Sequence, residues 1–195
     1  MRVVTTAGCA AFGAALIGAP VAEAGVDEVH VGVMAHNICV INCDNANKED
    51  GPNVEVQVSF DSPAFLSWAF SPQPYVMASL NTAGDTSFAG AGLEWRWDFA
   101  HNWALEPGFG LAVHDGESNN PFANGTPEAE AFSQQHVLLG SDVLFRTSLG
   151  LTYDFDGPWE AQLFYEHLSH GQVLASGRNQ GLDEVGIRFG YQLGR

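Results

Sequence analysis

Basic residues are scarce in this chain of 195 residues: seven Lys+Arg, with Lys48 the only lysine, stand against 23 Asp+Glu for a formal net charge of −16. Binding to nucleic acid needs clustered Lys and Arg against phosphate, so that class is excluded. Charge of either sign is low at 15%, below the roughly 25% of an average soluble domain. Beyond the N-terminus no apolar run is long enough for a membrane helix. What is plentiful is glycine (22), phenylalanine (13) and tryptophan (5). Such aromatic content excludes intrinsic disorder and favours strands joined by turns. The length suggests one domain.

Met1–Ala24 has one early Arg, an apolar run through Ile17 and the small-residue end Ala22-Glu23-Ala24. This is the pattern of a secretory signal cleaved after Ala24. Removal takes Arg2 and Glu23, one charge of each sign, so residues 25–195 keep −16 and are expected to work outside the cytoplasm. Two cysteines remain, Cys39 and Cys43. In an oxidising compartment their spacing in a loop predicts a local disulfide. Free thiols, or a metal site completed by His30 and His36, are the alternatives.

The period of the remaining chain is two. Ala89, Ala91, Leu93, Trp95, Trp97 and Phe99 alternate with Gly90, Gly92, Glu94, Arg96 and Asp98. The same alternation recurs over 103–113, 145–155 and 185–193. It predicts strands with two unlike faces. Eight such segments are found, at 28–36, 54–60, 73–81, 86–99, 103–113, 142–155, 158–169 and 182–193. Several reach the ~9–11 residues that cross a bilayer when tilted.

The polar face carries glycines and opposite charges (Glu94, Arg96, Glu106, Arg146, Glu160, Arg188), while the apolar face ends in aromatics such as Trp97, Phe99, Trp103, Tyr153, Phe155 and Trp159. Small residues and ion pairs fill a narrow barrel, and terminal aromatics make an interfacial girdle. The expected fold is therefore all-β: an eight-stranded antiparallel up-and-down transmembrane β-barrel with a filled polar lumen. A soluble lipocalin-like barrel is the alternative. Connections agree, with short turns at 100–102 and 156–158 on one side and long loops at 37–53, 114–141 and 170–181 on the other. The connection 61–72 is a longer exception suited to a brief helix. His114, Asp115 and Glu117 fall in a flexible Gly/Asn-rich loop.

Within Trp159–Gly171, parity puts His167 and Ser169 on the outer face, two residues apart. Asp183 shares parity with the outward Val185 and Ile187, and an antiparallel partner strand brings it beside them. Polar residues facing outward on a lipid-facing strand call for a reason. A base at His167, a nucleophile at Ser169 and an orienting acid at Asp183 supply one, namely attack on an ester carbonyl. Glu184 is expected on the lumen face, in contact with Arg188.

The run Tyr165-Glu166-His167-Leu168-Ser169-His170-Gly171, the loop residues Asn179-Gln180-Gly181, then Asp183 and Val185–Tyr191 resemble the C-terminal signature of the PagL lipid A 3-O-deacylase (acyloxyacyl hydrolase) family. That resemblance implies an eight-stranded outer-membrane barrel that hydrolyses an ester-linked acyl chain of lipid A in the outer leaflet, through a triad on its outer face. It implies no resident cofactor or metal. The family's acid is often Glu where Asp183 stands, and the residue after the serine is commonly Asn where this chain has His170. The His170 imidazole, or backbone amides near Gly171 and Gln172, would then serve the oxyanion. Lipid A phosphates are anionic like the chain, so contact calls for Arg178 or for divalent cations bridging to carboxylates. A monomer or homodimer is compatible. The rival class is a non-catalytic structural or adhesion barrel whose acidic loops bind partners.

Overall fold

The computed structural model describes residues 25–41 and 45–193. The expected leader at 1–24 and Cys43 lie outside the described residues. Nine strand segments, β1 (Val26–Ala35), β2 (Asn53–Phe60), β3 (Gln73–Asn81), β4 (Phe88–Glu94), β5 (Trp97–Ala100), β6 (Trp103–His114), β7 (Val143–Asp154), β8 (Trp159–Ser169) and β9 (Leu182–Gln192), pair in the order β4-β3-β2-β1-β9-β8-β7-β6-β5. A further pairing of β4 with β6 closes the sheet on itself. Both β4 and β5 pair with β6, interrupted only at Trp95-Arg96, so they form one stave. The wall is an eight-stranded antiparallel barrel, and closure leaves no edge strand exposed. Among the described residues no helix is long and apolar enough to cross a membrane.

Alternation sorts the side chains as the period demands. Val31, Val33, Leu163, Ile187 and Phe189 are exposed on the outside, while His30, Glu55, Gln162, Glu166 and Arg188 are buried inside. Charges buried in a lumen must be paired, and the three arginines there are. Arg188 reaches Glu55 (2.9 Å), Gln57 (3.0 Å) and Gln162 (2.7 Å) and lies 3.5 Å over the Phe164 ring. Arg146 bonds Glu166 at 2.5 Å. Arg96 holds Glu106, Asp154 and Glu160 at 2.6, 2.6 and 3.0 Å. Gly110 makes room for this filling: a Cβ there would come within 2.6 Å of the Tyr75 hydroxyl.

Toward the end away from the termini the lumen turns apolar. Tyr75, Met77, Phe88, Ala112, Leu144, Leu168 and Leu182 pack with Val137 and Leu139. The last two belong to the β6–β7 connection, which folds back over the barrel. Val137 N–H donates to Glu49 Oε1 (3.0 Å) and Leu138 N–H to Gln180 Oε1 (2.7 Å). This connection differs from the loop expected of it, because it carries helix α1 (Pro127–Gln135). Thr126 caps α1 by accepting from Ala129 N–H, Pro127 opens it, and Glu128 and Glu130 complement its dipole. His114 is also fixed, with Nε2 2.7 Å from the Ser141 carbonyl. The β2–β3 connection does hold a short helix, Ala64–Ala69, of 3₁₀ type.

Candidate active site

Strand β8 sets the site by its period. Phe164, Glu166 and Leu168 are fully buried in the lumen, whereas Tyr165, His167 and Ser169 are half-buried on the outer face. The β8–β9 register places His167 directly opposite Asp183 and Glu166 opposite Glu184. Directly opposed residues on one face have Cβ atoms about 5 Å apart, and the His167 Nδ1–H donates to Asp183 Oδ1 at 2.6 Å. A carboxylate at Nδ1 selects the tautomer that leaves the Nε2 lone pair open.

Asp183 shares the outer face yet is only 2% exposed. Its cover is the segment after β1. The Ile41 and Val40 N–H groups donate to Asp183 Oδ2 at 2.7 and 3.3 Å, and Ile38 N–H to the Asp183 carbonyl at 3.0 Å. The Tyr165 hydroxyl donates to Oδ1 at 2.9 Å. Both carboxylate oxygens are thus engaged, which fixes the direction of the carboxylate.

That covering segment is anchored from inside. Each His36 ring nitrogen faces a carboxylate, Nδ1 with Glu184 Oε1 at 2.6 Å and Nε2 with Glu49 Oε2 at 2.9 Å. Only the doubly protonated ring donates to both. Burial opposes that charge, but the hydrogen bonds to Glu184 and Glu49 outweigh it and push the His36 pKa up to about 9. Burial likewise works against the Glu49 carboxylate, and the bonds from His36, Val137 and Thr86 overcome it to hold its pKa below the usual value. Glu184 faces the lumen as expected, but its partner is His36, because Arg188 is already taken by Glu55, Gln57 and Gln162. Cys39 in the same segment is disulfide-bonded. The metal alternative loses both of its histidines, since His30 Nε2 sits 2.9 Å from Glu160 in the lumen.

Ser169 lies two residues beyond His167, opposite Phe145 on β7. Its Oγ makes no hydrogen bond among the described residues, and His167 and Ser169 are not joined by one. The turn that follows is tight, with Gly171 at φ +60° and Gln172 at +57°. The His170 ring is fully buried on the lumen side. Its Nε2–H donates to the Arg178 carbonyl (2.8 Å), while Nδ1 accepts from Gln172 N–H (3.2 Å). Neither the imidazole nor the Gln172 amide is therefore open to a reacting oxygen, against the expectation for them. Val173 and Leu174 N–H donate to the His170 carbonyl. The Gly171 N–H has no acceptor among the described residues.

Sequence reading assigns no role at this site to Tyr165 or to the Val40 and Ile41 amides, and weighs His36 only as a metal ligand. Tyr165 was legible in principle, two residues before His167 on the same face. The amides were not, because they come from more than 140 residues away through the backbone. As for metal-ligating groups, the described residues bring together Glu28, His30 and Glu160, buried at the opposite end of the lumen with ligand atoms within 4.8 Å of one another.

A family model described as lipid A 3-O-deacylase (PagL) matches residues 45–192. The chain is also similar to two solved structures. One is the outer membrane enzyme PagL, at TM-score 0.57 and 15% identity over 84% of this chain and 98% of that one. The other is Neisserial surface protein A (NspA), at TM-score 0.56 and 11% identity over 87% of this chain and 99% of that one. At these identities the likeness is one of barrel fold. No curated protein matches the chain.

Proposed function

Because the chain belongs to the lipid A 3-O-deacylase (PagL) family, we propose that it is an outer-membrane ester hydrolase removing the 3-O-linked acyl chain of lipid A, with Ser169 as nucleophile, His167 as base and Asp183 as orienting acid. The observation that carries this reading is the 2.6 Å His167–Asp183 hydrogen bond on the outer face of the barrel. A carboxylate held fast against an imidazole on a lipid-facing wall supports a base poised for ester attack.

Residues two apart on a strand are about 7 Å apart along it, and base–nucleophile contacts of this kind tighten when substrate docks. His167 Nε2 takes the Ser169 hydroxyl proton as Oγ attacks the ester carbonyl, and Asp183 stabilises the resulting imidazolium. His167 then returns the proton to the departing sugar oxygen, leaving an acyl-serine. Water, deprotonated by His167, releases the fatty acid and restores Ser169. The Gly171 N–H is the proposed oxyanion donor. Phe145, which stacks on Phe109 with centroids 5.6 Å apart, and Leu111 supply an apolar wall for the acyl chain beside Ser169.

Orientation agrees with the substrate. The site lies at the end opposite the termini, which places it at the outer leaflet if the N-terminus is periplasmic after export. Such a site reaches an ester near the headgroup boundary, whereas a hydrolase of soluble esters keeps its triad in a water-filled pocket. The test is the lipid A mass spectrum of cells making the wild type or Ser169→Ala. Loss of one hydroxyacyl chain with the wild type alone supports the enzyme. An unchanged spectrum with folded wild-type barrel in the membrane supports the non-catalytic alternative.

A further inference from the structure

We propose that Lys48 and Arg178 form a binding subsite for a phosphate monoester on the headgroup of the lipid substrate; this rests on the ester-hydrolase reading above. Cations are the scarcest resource of this chain, and the other described ones are committed. Arg96, Arg146 and Arg188 are each ion-paired with carboxylates in the lumen. Lys48 and Arg178 belong to two of the three long connections at the active-site end, and among the described residues neither is in an ion pair with a carboxylate. The Lys48 ammonium is 3.4 Å from Asn45 Oδ1, and Arg178 Nη1 is 3.5 Å from Ser133 Oγ. Glu49, the acid next to Lys48, is turned inward onto His36.

The two are tied to opposite flanks of the triad. Lys48 N–H donates to Asn37 Oδ1 at 2.8 Å, in the segment whose amides hold Asp183. Arg178 is fixed by its carbonyl to the ring of His170, the residue after Ser169. Although 130 residues apart in sequence, the two lie in segments joined through 137–138: Val137 N–H donates to Glu49 Oε1 and Leu138 N–H to Gln180 Oε1. Burial lowers the Lys48 pKa, and the Arg178 guanidinium lowers it further. In a chain with 23 acids, these two cations outside the lumen have no ion pair among the described residues. Like charges held together in this way are stabilised by a shared anion. Arg178 also lines a cleft of about 390 Å³ with Asn119 and Asn124, side chains suited to sugar hydroxyls beside a phosphate.

The experiment compares kcat/KM for phosphorylated lipid A and for the same lipid stripped of phosphate, in detergent with chelator present. The wild type is expected to prefer the phosphorylated form by roughly 10- to 100-fold per cation engaged. Lys48→Gln and Arg178→Gln should each reduce that preference, the double variant should abolish it, and Lys48→Arg should retain it. Inorganic phosphate separates a headgroup site from a free-anion site. Competition with phosphorylated lipid that disappears in the double variant supports the headgroup subsite. Phosphate that binds through the same two residues without competing overturns it. A preference that survives the double variant also overturns it. Absence of hydrolysis on both lipids by the wild type would instead overturn the ester-hydrolase reading.

Discussion

At the scale of single residues, the adjacent acids of β9 divide the work by parity. Asp183 faces His167 on the outside, and Glu184 holds His36 inside. Asp183→Asn keeps the shape but removes the charge that orients the imidazole, and in serine hydrolases that change costs about 10⁴ in kcat. Glu184→Gln should retain most turnover while destabilising the barrel, and measuring both variants on one lipid substrate checks the assignment. The reverse result would mean that His167 draws its charge from the lumen. His36 makes a separate pH prediction. Its folded pKa of about 9 exceeds the ordinary 6.5, so its contribution to stability is full below about 6.5 and is lost as pH rises through 9. The Glu49 contribution has the opposite sign, present above the ordinary 4.5 and lost as pH falls below it. The stability gap between wild type and His36→Gln should therefore be large near pH 6 and close above pH 9, as read by thermal unfolding in detergent. A gap that does not change with pH would show that the ring is not charged there.

At the scale of elements, the segment after β1 acts as a roof for Asp183, the proposed catalytic acid. Ile41 N–H is the shorter of its two bonds to Asp183 Oδ2. Ile41→Pro deletes that donor, since proline has no N–H. We expect a clear drop in kcat, with KM moving less, because the affected carboxylate touches the base and not the lipid. Equal losses for Ile41→Ala would point to side-chain packing instead. This roof also marks where sequence reading ran out. Strict alternation made the strands, the face of His167, Ser169 and Asp183, and the lumen charges visible, because a period of two assigns each side chain to a face. It says nothing about backbone amides that arrive from a loop. Helix α1 was overlooked for another reason: Thr126-Pro127 followed by Glu128 and Glu130 is a readable start signal, but a nine-residue helix inside an Asn- and Gly-rich connection has too few turns to show a period. His170 misled because the family resemblance supplied a role for its position, while its even parity already pointed it into the lumen.

At the scale of the whole molecule, the barrel separates two tasks between two faces of one wall. The outside is apolar for lipid, with the proposed triad near one rim. The inside is filled with a charge network that holds the staves in register. Arg188 is the centre of that network, joining β9 to β2 through Glu55 and Gln57 and to β8 through Gln162, with Phe164 beneath its guanidinium. Removing one member of a buried ion network costs about 3–5 kcal/mol, because the partners are left charged without compensation. Arg188→Met should thus lower the unfolding free energy, read by urea titration in detergent, by that amount. Turnover at low temperature should persist, since Arg188 touches none of His167, Ser169 or Asp183. Arg188→Met combined with Glu55→Gln should recover part of the loss, as the orphaned carboxylate is then neutral. If the double variant is no more stable than the single one, then packing around Phe164, and not charge compensation, is what Arg188 provides to the barrel.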